Sequence, residues 1–206
     1  MFSGFNPNGA KSKLTTIRKL VRESNSAVVT MQETKCSQVG QIKLDGFYTY
    51  ENIRSNKGGG GVALSARTEL KPAFINDGGE EVEAITVDIH LKDIVISVTS
   101  AYGPQESDPI EKKDSFWQYL SNEASKAKSY GKGFILQGDL NAWLGPKHIK
   151  GDFHGQNRNG KLFSLFLEQN SLVCVNSLPL TDGVVTRIQN CMGRIEKKDY
   201  WFFCGI

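Results

Sequence analysis

The sequence predicts an α/β protein, and two observations carry that prediction. Apolar runs of strand length alternate along the chain with amphipathic segments at helical spacing. The first thirty residues already give an apolar run at Phe2–Phe5, a helical segment and a second apolar run, which is the strand–helix–strand order of α/β folds.

We predict that residues 1–206 form a single domain. The 206 residues include 39% apolar and 10% aromatic side chains, enough to bury a substantial core. No internal repeat, low-complexity segment or linker divides the chain.

In the first half of the chain, the patterns predict one helix and several short strands. The helix covers Ser12–Glu23, where apolar residues recur at helical spacing. The strands are apolar or alternating runs bounded by turn residues, at Ala27–Met31, Phe47–Tyr50, Val62–Ser65, Ile85–Ile89 and Ile94–Ala101. The four glycines at Gly58–Gly61 favour a flexible or tightly packed start of a strand over a phosphate-binding nest, and no Gly-Lys-Ser/Thr follows as in a nucleotide-binding loop.

The second half repeats this alternation of helices and strands. Asp108-Pro109 opens a helix that runs to about Ser129, because proline is favoured in the first turn of a helix. A strand at 133–137, a helix at Asn159–Gln169 and three further strands follow, at Leu172–Val175, Gly183–Ile188 and Asp199–Cys204.

Composition excludes several classes of protein. No run approaches the ~20 apolar residues that a membrane-spanning helix needs, and the N-terminus lacks the pattern of a signal peptide. The four cysteines are scattered without metal-binding or redox spacing, so free, mostly buried thiols are expected. We therefore expect a soluble, intracellular protein without a membrane partner.

Charge is distributed unevenly along the chain. Residues 1–76 carry 11 basic and 5 acidic side chains, residues 77–140 carry 6 and 12, and residues 141–206 carry 8 and 5. Two basic segments around an acidic middle suit a surface with one side that faces anions. Solvated charge gives a similar pattern, so the distribution permits nucleic acid as a partner without requiring it.

Polar residues stand at the ends of apolar runs in five places. These are Asn6 with Asn8, Glu33, Tyr102, Asp139 with Asn141, and Asp199 at the head of the last run. Each has an ordinary explanation as a turn, a surface charge or a half-buried aromatic residue. In open α/β sheets, however, functional sites collect at strand ends. Oxygen ligands of this kind select Mg²⁺, with Mn²⁺ as the alternative, and such sites are typical of enzymes that act on phosphate esters.

The Asp139 motif is the centre of this pattern. Alternation along a strand would place Asp139 and Asn141 on one face, with Leu140 opposite. A carboxylate and an amide that point together from a strand end can hold a water molecule and a phosphate.

The motifs, taken in order, resemble the endonuclease/exonuclease/phosphatase superfamily, which includes DNase I and the exonuclease III-like abasic endonucleases. They are Asn6-Pro7-Asn8-Gly9, Gln32-Glu33-Thr34, Ser100-Ala101-Tyr102-Gly103-Pro104, Gly138-Asp139-Leu140-Asn141 and Asp199-Tyr200. The chain is most similar to the endonuclease domain of non-LTR retrotransposons, since Asn159-Gly160 and a following helix fit that branch.

This resemblance implies a four-layered α/β sandwich, with two central mixed sheets flanked by helices. It implies that Glu33 is the principal Mg²⁺ ligand, with Asn6 and Asn8 at or near the metal. Asp139 would orient or deprotonate the attacking water, and Asn141 would position the water and the phosphate. Tyr102 would hydrogen-bond the scissile phosphate. Thr186 would line the site, and Asp199 would support a histidine.

That histidine marks a departure from the family pattern. The family has Ser-Asp-His shortly beyond the Asp199 strand, whereas this sequence ends at Ile206 without the motif, so a C-terminally truncated domain is expected. The three histidines present, His90, His148 and His154, do not follow Ser-Asp. Loss of one preorganised donor typically costs ~10²–10³-fold in rate.

Three functional hypotheses follow. The first is a Mg²⁺-dependent endonuclease that nicks DNA to leave a 3′-hydroxyl, encoded beside a reverse transcriptase domain of the same polyprotein and acting in the nucleus. The second is another branch of the superfamily, an abasic-site repair endonuclease or another phosphoesterase. The third is a catalytically weak or silent DNA-binding remnant, because the expected histidine is missing.

Overall fold

The computed structural model describes residues 1–54, 59–145 and 155–178, and it describes 187–191, 194–198 and 201–205 as backbone strands. The positions Thr186 and Asp199 lie outside the described residues, as do His148 and His154.

The first half of the chain forms a four-stranded sheet with one helix. Its elements are β1 (Phe2–Phe5), α1 (Ala10–Glu23), β2 (Val28–Gln32), β3 (Phe47–Asn52) and β4 (Val62–Arg67). The strand order is β1-β2-β4-β3, in which β1 runs parallel to β2 and the other pairs are antiparallel.

The rest of the chain forms a six-stranded mixed sheet and a separate hairpin. Its elements are β5 (Ala73–Asp77), β6 (Ala84–His90), β7 (Val95–Tyr102), α2 (Ile110–Ser129), β8 (Gly133–Asp139), α3 (Arg158–Asn170), β9 (Val173–Cys174), β10 (Arg187–Cys191), β11 (Arg194–Lys198) and β12 (Trp201–Gly205). The order of the large sheet is β5-β6-β7-β8-β12-β9, with β7 and β8 parallel, and β10 pairs with β11. Two short 3-10 helices, Thr68–Leu70 and Val175–Ser177, complete the described elements.

Three apolar clusters show how these elements stack. One packs α1 against the outer face of the first sheet, with Ile17 and Val21 of the helix on Met31 of β2. A second lies between the two sheets, where Leu64 of β4 meets Val87 of β6. The third packs α2 and α3 on the outer face of the second sheet. The result is a helix–sheet–sheet–helix sandwich, as the resemblance implies.

Most predicted elements agree with the structure to within a few residues, and the differences have identifiable causes. The predicted strand at Gly183–Ile188 lies mostly outside the described residues, and the described strand β10 includes its last two positions and continues to Cys191. Strands β5 and β11 were not predicted. Strand β5 exposes three of its five residues, and β11 reads Arg-Ile-Glu-Lys-Lys, so neither carries a clear apolar pattern.

Two expectations from composition concern the thiols and the membrane. Cys36 is a free, buried thiol and Cys174 is buried, as predicted. Among the described residues, no helix is long and apolar enough to span a membrane.

Strands β7 and β8 bring two of the predicted polar residues to one sheet edge. They run side by side in parallel, and their register pairs Tyr102 with Asp139. The close approach of β8 to β7 needs Gly138, because a Cβ there would lie 1.9 Å from the carbonyl oxygen of Ala101. Strand β12 flanks β8 on its other side, with Trp201 opposite Asp139.

Candidate active site

The side chain of Asn6 joins two of the carboxylates that the sequence singles out. Its Nδ2 donates to Oε1 of Glu33 at 2.8 Å and to Oδ2 of Asp139 at 3.1 Å. Asn6 follows β1, Glu33 follows β2, and Asp139 ends β8, so both sheets contribute to one cluster. We refer to Asn6, Glu33, Tyr102 and Asp139 as the acid–amide cluster.

The turn after β1 fixes the orientation of Asn6. Its Oδ1 accepts from the backbone N–H of Asn8 at 3.1 Å, and Asn8 adopts a left-handed φ of 49°. This local bond commits the amide oxygen of Asn6 to the backbone and leaves its N–H groups for the carboxylates. The Asn8 side chain is exposed, and its Oδ1 accepts from the ammonium of Lys35. The structure thus places Asn6 between the carboxylates and Asn8 at the rim.

Glu33 lies in a turn with an unusual backbone. Glu33 and Lys35 have φ values of 48° and 50°, the left-handed region that residues other than glycine, asparagine and aspartate seldom adopt. The turn is hydrogen-bonded on one side to the start of α1, because Gly9 and Ala10 donate to the carbonyls of Glu33 and Thr34, both at 2.8 Å. The Glu33 carboxylate also lies 3.9 Å from Nζ of Lys35.

Tyr102 ends β7 beside these carboxylates and is only 9% exposed. Burial raises the pKa of Tyr102 to about 12, and the nearby charges of Glu33 and Asp139 add to that rise. The side chains of Glu33 and Gln105 lie close enough to the phenol to influence its pKa. At neutral pH the side chain is therefore a protonated hydrogen-bond donor.

Asn141 reaches the site through a turn. Strand β8 ends at Asp139, and Asn141 has a φ of 47°, so the predicted alternation along a strand does not apply to it. Its backbone N–H instead contacts Oδ1 of Asp139 at 3.3 Å, and its Nδ2 donates to the carbonyl of Gly103 at 2.7 Å. The turn therefore holds the backbone of Asn141 against the Asp139 carboxylate, while the Asn141 side chain bonds to the Gly103 carbonyl.

Two asparagines before and at the start of α3 support this turn, and sequence reasoning gave neither a role in the site. Asn157 donates to the carbonyl of Asn141 at 2.9 Å and accepts from Gly160 N–H as the N-cap of α3. Asn159 is fully buried and donates to the carbonyl of Pro104 at 2.6 Å. The capping preference of asparagine was the available signal for Asn157, whereas nothing local distinguishes the contacts of Asn159.

His90 does not belong to the cluster. It is exposed at the far end of β6, where its Nδ1 lies 2.9 Å from the carbonyl oxygen of Lys71. The start of β6 lies beside Tyr102, and a strand of seven residues spans ~20 Å. The predicted roles of Thr186 and Asp199 remain predictions, since both positions are outside the described residues.

The donor set of the cluster suits a hard divalent cation. Within the described ranges, no three or more His, Cys, Asp or Glu side chains are grouped closely enough to hold a metal ion by themselves. Any cation at Glu33 and Asp139 would therefore keep much of its water, which is the usual pattern for Mg²⁺ bound by one or two carboxylates. These oxygen donors fit Mg²⁺ or Mn²⁺ and lack the soft ligands that zinc or copper sites favour.

A cleft of about 290 Å³ opens beside the cluster. Its walls include Glu33 and Tyr102 of the cluster, together with Arg54 and Lys112. Both cationic side chains are ion-paired with carboxylates of the same lining, so the cleft carries charge of both signs.

Together, the layers and the cluster at their edge define a DNase I-like α/β sandwich. The chain belongs to the Endonuclease/Exonuclease/phosphatase family, which matches residues 2–205. Membership in this family of nucleases and phosphatases indicates hydrolase activity.

One curated relative and several solved structures resemble the chain. Craniofacial development protein 2 of Bos taurus is 25% identical over 175 residues, which are 81% of this chain and 29% of the relative. The chain thus spans less than a third of the length of that protein.

The structural similarities establish the fold. The endonuclease domain of TRAS1, a telomere-specific non-LTR retrotransposon, has a TM-score of 0.66 at 15% identity, over 98% of this chain and 82% of that one. The AP endonuclease LMAP of Leishmania major has a TM-score of 0.77 at 13% identity, over 99% and 77%. The 3′ phosphatase NExo of Neisseria, bound to a product DNA hairpin, has a TM-score of 0.68 at 13% identity, over 98% and 84%.

Proposed function

We propose that the protein is a Mg²⁺-dependent phosphodiesterase that nicks DNA and leaves a 3′-hydroxyl, as the target-site endonuclease of a non-LTR retrotransposon. One observation carries the proposal. The Asn6 amide bridges the Glu33 and Asp139 carboxylates beside the protonated phenol of Tyr102. Family membership and the likeness to the TRAS1 endonuclease domain support the same class of reaction.

Each residue of the cluster has a distinct role in the proposed reaction. Asp139 takes a proton from the attacking water as the water oxygen bonds to phosphorus; the bond from phosphorus to O3′ breaks, and the leaving O3′ takes a proton from solvent to become the 3′-hydroxyl. The phenol of Tyr102 donates a hydrogen bond to a phosphate oxygen, where negative charge grows in the transition state. Asn141 positions the water and the phosphate from its turn beside Asp139.

Glu33 would hold the Mg²⁺ ion, with Asn6 and Asn8 at or near it. When bound, the ion supplies positive charge that stabilises the phosphate in the transition state. Asn6 would also contact the substrate, and its amide sets the spacing of Glu33 and Asp139.

The genomic setting is a further part of the proposal. The likeness to TRAS1 and the Asn159-Gly160 motif favour the retrotransposon branch. There the 3′-hydroxyl would prime synthesis by a reverse transcriptase domain of the same polyprotein, and the protein would act in the nucleus.

A second candidate is an abasic-site repair endonuclease. It is favoured by the likeness to LMAP, whose TM-score of 0.77 exceeds the 0.66 of TRAS1. Because the identity to LMAP is 13%, the comparison supports the fold and leaves the substrate to experiment.

A substrate comparison separates these candidates. The purified chain is incubated with Mg²⁺ and three DNAs: supercoiled plasmid, an undamaged duplex, and the same duplex with one abasic site. The proposal predicts nicked circles and cleavage of the undamaged duplex. Cleavage confined to the abasic site would establish the second candidate. Salt-sensitive binding of all three DNAs without cleavage would identify a silent DNA-binding protein.

A further inference from the structure

Glu83 lies just before β6 and connects three segments around the cluster. Its Oε2 accepts from the backbone N–H of Gly61 at 2.5 Å, while its Oε1 pairs with the guanidinium of Arg54. Its backbone carbonyl accepts from the N–H of Tyr102 at 2.8 Å. The side chain is 11% exposed, so this carboxylate is largely removed from water.

The segment that Glu83 holds is in turn bonded to the Glu33 turn. The carbonyls of Gly60 and Gly61 accept from the N–H groups of Lys35 and Thr34, at 2.9 and 3.1 Å. We refer to Gly59–Gly61 as the glycine strap. The strap covers one side of the left-handed turn, and the start of α1 covers the other, so the position of Glu33 depends on both.

The glycines of the strap pack closely against their neighbours. A Cβ at Gly61 would lie 2.8 Å from Oγ1 of Thr34, and a Cβ at Gly60 would lie 2.4 Å from Oε2 of Glu83. Both glycines have positive φ, at 73° and 82°. This agrees with the predicted tightly packed start of β4, and the N–H of Gly61 is committed to Glu83.

We infer that Glu83 is a positioning residue for metal binding, because it fixes the glycine strap against the turn that carries Glu33. The inference rests on the proposed function only in assigning the metal to Glu33. Arg54 pairs with Oε1 of Glu83 and leaves Oε2 to accept from the strap, since a largely buried carboxylate needs a charge partner. Residues that orient a metal ligand from outside typically change metal affinity or activity ~10–100-fold when mutated.

Three variants test the inference. Glu83→Ala removes the acceptor for Gly61 N–H and the partner of Arg54. Glu83→Gln retains an acceptor oxygen without the charge. Glu81→Ala is the matched control, because Glu81 has the same charge two residues away but is exposed. All three are first compared for thermal unfolding.

The first measurement is amide hydrogen exchange, which does not depend on activity. Glu83→Ala should accelerate exchange at Thr34 and Lys35 about tenfold, because the strap loses a bond to a charged acceptor. Glu83→Gln should fall between Glu83→Ala and the wild type, and Glu81→Ala should match the wild type. Unchanged protection of both amides in Glu83→Ala would overturn the inference, as would an equal acceleration in amides of β3.

The second measurement is Mn²⁺ binding without DNA, followed by water proton relaxation. Glu83→Ala should weaken Mn²⁺ binding about tenfold, and Glu83→Gln should recover most of the loss. Equal Mn²⁺ affinity in wild type and Glu83→Ala would contradict the inference even if exchange changed. If the wild type binds Mn²⁺ but cleaves no DNA, the proposed function fails while the effect of Glu83 on binding still stands.

Discussion

Replacing Asn6 by alanine tests whether the amide bridge is functional. The substitution removes two hydrogen bonds to carboxylates, at 2.8 Å from Glu33 and 3.1 Å from Asp139. A net bond to a charged group is worth ~1.5–3 kcal/mol. Water can replace the bond to Glu33, whose side chain is 20% exposed, but it has little access to Asp139, which is only 5% exposed. We therefore expect Asn6→Ala to lower the unfolding free energy by about 2 kcal/mol.

The effect on activity should be larger than the effect on stability. Loss of a preorganised group at such a site costs ~10²–10³-fold in kcat, which corresponds to ~2.7–4 kcal/mol of barrier. The assay is plasmid nicking at saturating Mg²⁺ together with urea unfolding.

Asn76→Ala is the matched control for Asn6→Ala. Asn76 also donates its amide to a buried carboxylate, Oε1 of Glu123 at 3.0 Å, but in β5 and α2. The Asn76→Ala variant should lose a comparable amount of unfolding free energy and keep the wild-type nicking rate. Nicking by folded Asn6→Ala within threefold of the wild type would refute the role of the bridge.

Three further predictions follow from the site and its supports. Tyr102→Phe should reduce nicking about 10²-fold in kcat with little change in KM, because it removes only the phenolic donor; steady-state cleavage of a labelled duplex measures both. Gly138→Ala should lower the free energy of unfolding, measured from the urea midpoint, by more than about 2 kcal/mol, since its Cβ would meet the Ala101 carbonyl oxygen at 1.9 Å. Gly133→Ala in the same strand is the control, because its Cβ would meet only the Ile96 side chain, at 3.4 Å, and should be tolerated. The unfolding free energy should fall between pH 10 and 12, because burial raises the pKa of Tyr102 to about 12 and also raises that of Tyr119, while both lose their protons near 10 in the unfolded state. Urea unfolding at pH 8 and pH 11 should show a smaller fall for Tyr102→Phe than for the wild type, and equal falls would contradict the burial of the Tyr102 phenol.

The sequence predicted the elements whose physical pattern is local. Helix α1 and the strands β2, β4 and β7 repeat apolar residues at helical or strand spacing, and each lies close to its predicted position. Strand β5 was missed because it is largely exposed, so its sequence carries little of the burial pattern that marks a strand.

The cluster was predictable in its members but not in its contacts. Asn6, Glu33, Tyr102 and Asp139 stand at strand ends, and the family resemblance grouped them. The amide bridge depends on the left-handed turn at Asn8, which no periodic pattern reveals. Glu83 follows Glu80 and Glu81 and looks like solvated charge, and only the packing of the glycine strap shows its contact with Gly61.

The most direct test of the central claim is the metal-dependent nicking of supercoiled DNA by the wild-type chain and by Asp139→Asn. The reaction is run with Mg²⁺, Mn²⁺ or EDTA, and the nicked circles are then extended by a DNA polymerase and labelled nucleotide. The account predicts nicking in Mg²⁺ and Mn²⁺, none in EDTA, direct labelling at a free 3′-hydroxyl, and a loss of ~10²-fold or more in Asp139→Asn. Plasmid that stays intact with both metals, or equal nicking by the wild type and Asp139→Asn, would contradict it.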